Sequence, residues 1–236
     1  LFALRDFLGF EKNVVVQATC HGSDNSALLD VLERANGKAR GVVTVKPDIT
    51  AEELQRMHDL GVRGVRFNYV KRLVDPKPDD YYREIIEKIR PLGWHVVLYF
   101  EPADLKEKKD FFNSLNIPLV IDHMGRPDVT KPVDNEEFEM FLDFMRGNKD
   151  IWCKVSCPDR LTKSGSPEYA DVVPFAKKIV EEFPDRVLWG TDWPHPNMKT
   201  EMPDDGILVD YVPSIAVTPE LQTKLLVTNP NNLYWS

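Results

Sequence analysis

Polar residues collect where the chain's apolar runs stop. In order, the stops carry Thr19-Cys20-His21, Val45-Lys46, Arg66 and Asn68, Tyr99 and Glu101, Asp122-His123, Ser156, and Asp192. Chance accounts for one or two such groups; a whole series is better explained by a site. Asp192, in WGTDWPHPN, can activate a water by accepting its proton. Taken alone, it reads more naturally as a carboxylate capping the next turn; the series around it favours catalysis. His123 lies between VID and MGRPD. A neutral imidazole there donates to a carbonyl oxygen or binds a metal, and a satisfied structural histidine is an equal alternative. Arg66 ends an apolar run, Arg72 lies in NYVKRLVD, and Arg160 follows CKVSC. A guanidinium grips a carboxylate through two parallel hydrogen bonds. A single loop arginine is usually solvated or paired with a neighbour such as Asp75 or Asp159. Three together point to an anionic substrate, such as a dicarboxylate.

The other histidines read differently. His95 opens its apolar run, about 13 Å from the far end if the run is a strand, and reads as structural. His58 reads as a helix surface residue. His21 and His195 follow strands and could support the site from behind. No His-x-His, His-Glu-x-x-His or Cys-x-x-Cys pattern occurs. His123 and Asp192 alone fall short of the three or four protein ligands that zinc takes, so no metal and no other cofactor is expected. No Gly-x-Ser-x-Gly elbow supports serine hydrolase chemistry.

The elements that must position these groups alternate along the chain. Short β-branched runs lie at 13–20, 41–45, 62–68, 94–100, 118–124, 151–157 and 186–193. Most are apolar nearly throughout, as strands covered on both faces are. Helical patterns fill the gaps at 25–36, 50–61, 79–90, 103–115, 135–147, 167–183 and 218–230. Thr50 with Glu53 reads as a capping box closed at Gly61, and Thr218 with Pro219 as a helix start. Seven such units predict α/β architecture with a parallel sheet. With the opening helix, they predict a (β/α)8 TIM-type barrel, a single domain over 1–236, whose first strand is missing from the sequence. The rival doubly wound sheet lacks its glycine-rich nucleotide loop. The opening LFALRDFLGF has no initiator Met and reads as the middle of an amphipathic helix, so an upstream segment is expected.

Composition narrows the function. The 236 residues carry a net charge of −8, which argues against a nucleic-acid surface but not against an anion held in a cleft. No apolar run reaches membrane-spanning length. Three cysteines, Cys20, Cys153 and Cys157, do not suggest a disulfide framework, so a cytoplasmic setting is expected. Cys153 and Cys157 are too far apart along a strand to pair, and read as packed thiols. Oligomeric state is not legible.

The segments VIDHMGRPD, CPDRL, VLWGTDWPHPN, MPDDG and LLVTNPNNLYWS resemble the 2-pyrone-4,6-dicarboxylate lactonase family, a branch of the amidohydrolase superfamily. The resemblance runs from residue 1 to 236. It implies metal-independent, reversible opening of a pyrone lactone to 4-oxalomesaconate in bacterial breakdown of lignin-derived aromatics. It implies Asp192 as the group that takes the proton of water and His123 as the group that polarises the lactone carbonyl. Arg66, Arg72, Arg160, Tyr99 and Asn197 are implied as substrate contacts, and Thr19 stands where relatives carry a small hydroxyl residue. Tyr99 stands where metal-dependent relatives supply a ligand histidine. The family's first strand carries a His-x-His pair that this sequence does not contain; the protein is expected to be inactive unless that strand is present upstream. Three alternatives remain: a sister lactonase such as a sulfomuconolactone hydrolase, a metal-dependent hydrolase or decarboxylase, and a non-catalytic ligand-binding remnant.

Overall fold

The computed structural model describes residues 1–75, 77–196, 198 and 202–236. The chain forms two compact units, 1–120 and 121–236.

In the first unit, α1 (Phe2–Phe7) precedes β1 (Asn13–Val16), α2 (Ser26–Arg34), β2 (Ala39–Val43), α3 (Ala51–Leu60), β3 (Val62–Asn68), α4 (Asp79–Ile89), β4 (His95–Tyr99) and α5 (Pro102–Ser114). β1 to β4 pair in chain order, all parallel, with Asn13 opposite Ala39 and Gly64 opposite His95. Parallel neighbours need long crossovers, and each of these carries a helix. β4 is buried at every position, and α4 buries Tyr82, Ile85, Ile86 and Ile89, one stripe at helical spacing. Gly64 lets β3 lie against His95: a Cβ there would sit 2.8 Å from both the His95 ring and its carbonyl oxygen. At the end of the unit, β5 (Leu119–Ile121) begins as the Val96 N–H donates to the Pro118 carbonyl at 2.9 Å.

The second unit continues with α6 (Glu136–Arg146), β6 (Ile151–Lys154), α7 (Pro158–Leu161), α8 (Val173–Glu182), β7 (Val187–Leu188), α9 (Asp205–Asp210), α10 (Val212–Ile215), α11 (Pro219–Thr223) and α12 (Asn229–Tyr234). β6 and β7 are parallel, with Cys153 opposite Val187. A π-helical stretch, Lys224–Thr228, joins α11 to α12.

The expected alternation is present, and several helix starts follow their caps. Thr50 Oγ1 accepts from Glu53 N at 3.2 Å, and α3 stops at left-handed Gly61. Thr218 Oγ1 accepts from Leu221 N at 3.2 Å. Three differences matter. The helix expected over 167–183 starts only at Val173, because Asp171 binds the preceding backbone into a loop. The strand expected over 186–193 ends at Leu188, leaving Asp192 on a turn. Cys157 does not continue β6 but caps α7 in a left-handed conformation; all three cysteines are free. Among the described residues, no helix is long and apolar enough to cross a membrane.

Candidate active site

In the second unit, the groups that could do chemistry follow β5, β6 and β7 directly. His123 sits just past β5, Ser156 and Cys157 just past β6, and Asp192 four residues past β7. His123, Cys157 and Asp192 share a left-handed backbone, φ 51°, 59° and 65°. Non-glycine residues adopt this region at a cost, and such strain concentrates at functional sites. Here it turns three side chains toward one another. His123 Nε2 lies 3.8 Å from Cys157 Sγ and 3.9 Å from Asp192 Oδ1. Its other nitrogen, Nδ1, lies 2.9 Å from Ser156 Oγ, and both of those residues are buried.

Asp192 is held from its other side. Arg160 donates from Nε at 3.0 Å to Oδ2, its Nη2 lies 2.9 Å from the same oxygen, and Nη2 also donates to the Pro196 carbonyl at 2.7 Å. Oδ1 is therefore the oxygen that faces His123. Burial works against the Arg160 charge, yet Asp192, Cys157 and Asp159 together raise its pKa. Burial pushes the Cys157 thiol far above its ordinary value, and Asp192 reinforces this, so Cys157 is a neutral thiol rather than a nucleophile. Just behind His123, buried Asp122 accepts from Lys154 Nζ at 2.8 Å.

A second polar group is built in the first unit. Thr19 Oγ1 accepts from Asn68 Nδ2 at 3.0 Å and from Arg66 Nη1 at 3.4 Å. The Arg66 guanidinium lies over the Tyr99 ring, 4.8 Å from its centre, as β3 and β4 place the two residues on neighbouring strands. Arg72 Nε is 3.5 Å from Glu101 Oε1; both side chains are largely exposed, so this pair is loose.

The structure thus brings Thr19, Arg66 and Tyr99 together in one unit, and His123, Arg160 and Asp192 together in the other. Asn197 lies outside the described residues. Arg160, expected as a substrate contact, already spends three interactions on Asp192 and Pro196. The sequence set aside Cys157 as packing, offered Ser156 only as one of the series of strand-end groups and Asp159 only as a pairing neighbour of an arginine; their closeness to Asp192 or His123 depends on turns that no periodicity announces. His58, expected on the surface, is half-buried and accepts from Trp94 Nε1 at 3.0 Å. His95 is buried, as its place in the strand suggests.

The donors at these strand ends permit a test of whether they fit a divalent ion. His123, Cys157 and Asp192 offer ligand atoms within 4.8 Å of one another. Their chemistry does not suit a resident divalent ion. A guanidinium already occupies one carboxylate oxygen, placing a fixed positive charge beside any bound cation, and three donors are one short of a closed tetrahedral set.

The family model for amidohydrolases matches residues 1–235. The chain belongs to the amidohydrolase family. Among curated members, a 2-pyrone-4,6-dicarboxylate hydrolase of Comamonas testosteroni is 63% identical, over all of this chain and 79% of its own length. A 4-sulfomuconolactone hydrolase of Hydrogenophaga intermedia is 36% identical, over 96% of this chain and 75% of its own. A crystal structure from Acinetobacter baumannii, described as a probable 2-pyrone-4,6-dicarboxylic acid hydrolase with citric acid bound, superposes with TM-score 0.84 at 26% identity, covering all of this chain and 87% of that one. The parallel α/β barrel class expected from the alternation of strands and helices is the class of this amidohydrolase.

Proposed function

We propose that this amidohydrolase hydrolyses the lactone of 2-pyrone-4,6-dicarboxylate to 4-oxalomesaconate without a metal ion. The observation that carries the reading is the Asp192 carboxylate, pinned through Oδ2 by Arg160 with Oδ1 turned to His123. Identity of 63% to a hydrolase named for that substrate supports the choice of lactone.

Asp192 Oδ1 takes a proton from water as the oxygen attacks the lactone carbonyl carbon. As the tetrahedral intermediate collapses the ring C–O bond breaks, the proton held by Asp192 passes to the released enolate oxygen, and the enol tautomerises to the keto acid. His123, set by Ser156 at Nδ1, stabilises the oxygen that gains negative charge, as a preorganised donor does in a water-poor site. Arg66, held by Thr19 and Tyr99, and Arg72 bind carboxylates of the substrate; Asn197 is a further contact by resemblance alone. Arg160 neutralises and aligns Asp192, in addition to the substrate contact the family resemblance implies. The setting is cytoplasmic breakdown of aromatic compounds, including those from lignin.

The test is Asp192→Asn. A positioned base contributes roughly 10²–10⁴-fold, so turnover of pyrone dicarboxylate falls by that much while calorimetric binding persists. Near-normal turnover in the variant sinks the reading. Dialysis against a chelator leaves the rate unchanged; loss of activity restored by zinc or manganese refutes the metal-free mechanism.

A second reading has one specific support, the 36% identity to 4-sulfomuconolactone hydrolase. A sulfonate is also an anion that arginines bind. Comparing kcat/KM for the two lactones decides between them.

A further inference from the structure

We infer that His195, with Asp205 as its partner, is a positioning residue that fixes the turn carrying Asp192. The inference rests on the reading of Asp192 as the base. Asp192 holds a left-handed backbone, φ 65°, which an L residue leaves unless its surroundings hold it. The turn that follows is closed when the His195 N–H donates to the Asp192 carbonyl at 2.8 Å. His195 is itself left-handed, φ 56°, so two strained residues hold one short turn. His195 is only 3% exposed, unusual for a residue on a loop. The ring Nε2 lies 3.3 Å from Asp205 Oδ2, and a carboxylate there can only accept, so Nε2 carries the proton.

Asp205 begins α9, whose start is fixed by Asp204 Oδ1 accepting from Gly206 N at 2.7 Å and Ile207 N at 3.4 Å. α9 is anchored in turn by buried Leu208. A chain of contacts therefore runs from the core through α9 and the imidazole to the backbone of the base. Arg160 pins the far end of the same turn at the Pro196 carbonyl. Arg160 orients the carboxylate directly; His195 orients the main chain from which that carboxylate projects. Without the His195–Asp205 contact the turn can relax, and Oδ1 loses its register with His123. The contact lies behind the base rather than at its carboxylate, so its loss lowers turnover more than affinity.

The experiment uses the purified protein with pyrone dicarboxylate as substrate. His195→Ala and Asp205→Ala each lower kcat about tenfold or more and change KM by less than about threefold. The double variant is no slower than the slower single one, because the two residues act as a unit. His195→Gln, which can place an amide N–H toward Asp205, recovers most of the lost kcat; Asp205→Asn, which keeps an acceptor, does the same. Thermal melting and circular dichroism accompany every variant. Unchanged kcat in His195→Ala overturns the inference. So does a rescue variant as slow as the alanine it replaces, or losses of kcat and KM that track the melting temperature across the set. Asp192→Asn runs alongside. If it retains turnover, the base reading itself fails; if it is inactive while His195→Ala is unaffected, only the present inference fails.

Discussion

The loop that follows α7, and hence Arg160, hangs on one carboxylate. Asp171 accepts from Thr162 Oγ1 at 2.6 Å, Ser164 Oγ at 2.7 Å, Lys163 N at 2.5 Å and Ser164 N at 3.1 Å. Burial opposes its charge, but the four donors outweigh burial and lower its pKa from 3.8 to about 2. At about 1.4 kcal/mol per pK unit, lowering the pKa from 3.8 to about 2 is worth about 2.5 kcal/mol when the group is ionised, or about 2 kcal/mol once its partial exposure is allowed for. Because the folded-state pKa lies below the unfolded one, this stability is fully present above pH 3.8 and is lost as pH falls through about 2. Asp171→Asn removes the charge at every pH. Urea unfolding at pH 7 should show the variant less stable by about 2 kcal/mol, with the gap closing between about pH 4 and pH 2. The donors are neutral, so adding salt should leave the gap nearly unchanged. A gap of the same size at pH 2.5 and pH 7, or none at pH 7, refutes this account of the loop.

Asp159 carries the opposite sign. Burial raises its pKa, and neither carboxylate oxygen has a hydrogen-bond partner among the described residues. Ionisation above pH 3.8 therefore costs stability, and Asp159→Asn should unfold at higher denaturant than the parent at pH 7 but not well below pH 3.8. Gly64→Ala places a Cβ 2.8 Å from the His95 ring and backbone, and melting should show a loss of about 1–3 kcal/mol. Thr19→Val removes the oxygen that Asn68 and Arg66 share, so steady-state kinetics should show KM rising more than kcat falls. Ser156→Ala leaves His123 Nδ1 without its Ser156 contact, and kcat should fall with KM little changed.

Hydrophobic pattern alone was enough to place seven strands and most of their helices, because a buried parallel strand must be apolar and a surface helix must show one apolar stripe. Caps such as Thr50 and Thr218 set helix starts through contacts only three residues long. The positions of Arg66, Tyr99 and His123 at or just past strand ends were legible for the same reason, since each sits where an apolar run stops; Asp192, expected at a strand end, lies on a turn four residues past β7. What those side chains touch was not legible. Arg160 bonds Asp192 from 32 residues away, and Ser156 reaches His123 from 33. Such pairings depend on left-handed turns at His123, Cys157, Asp192 and His195, none of them glycine. Local propensity works against that conformation at each position, so only the packed tertiary structure, which holds the turns in place, decides that a carboxylate, an imidazole and a thiol face one another.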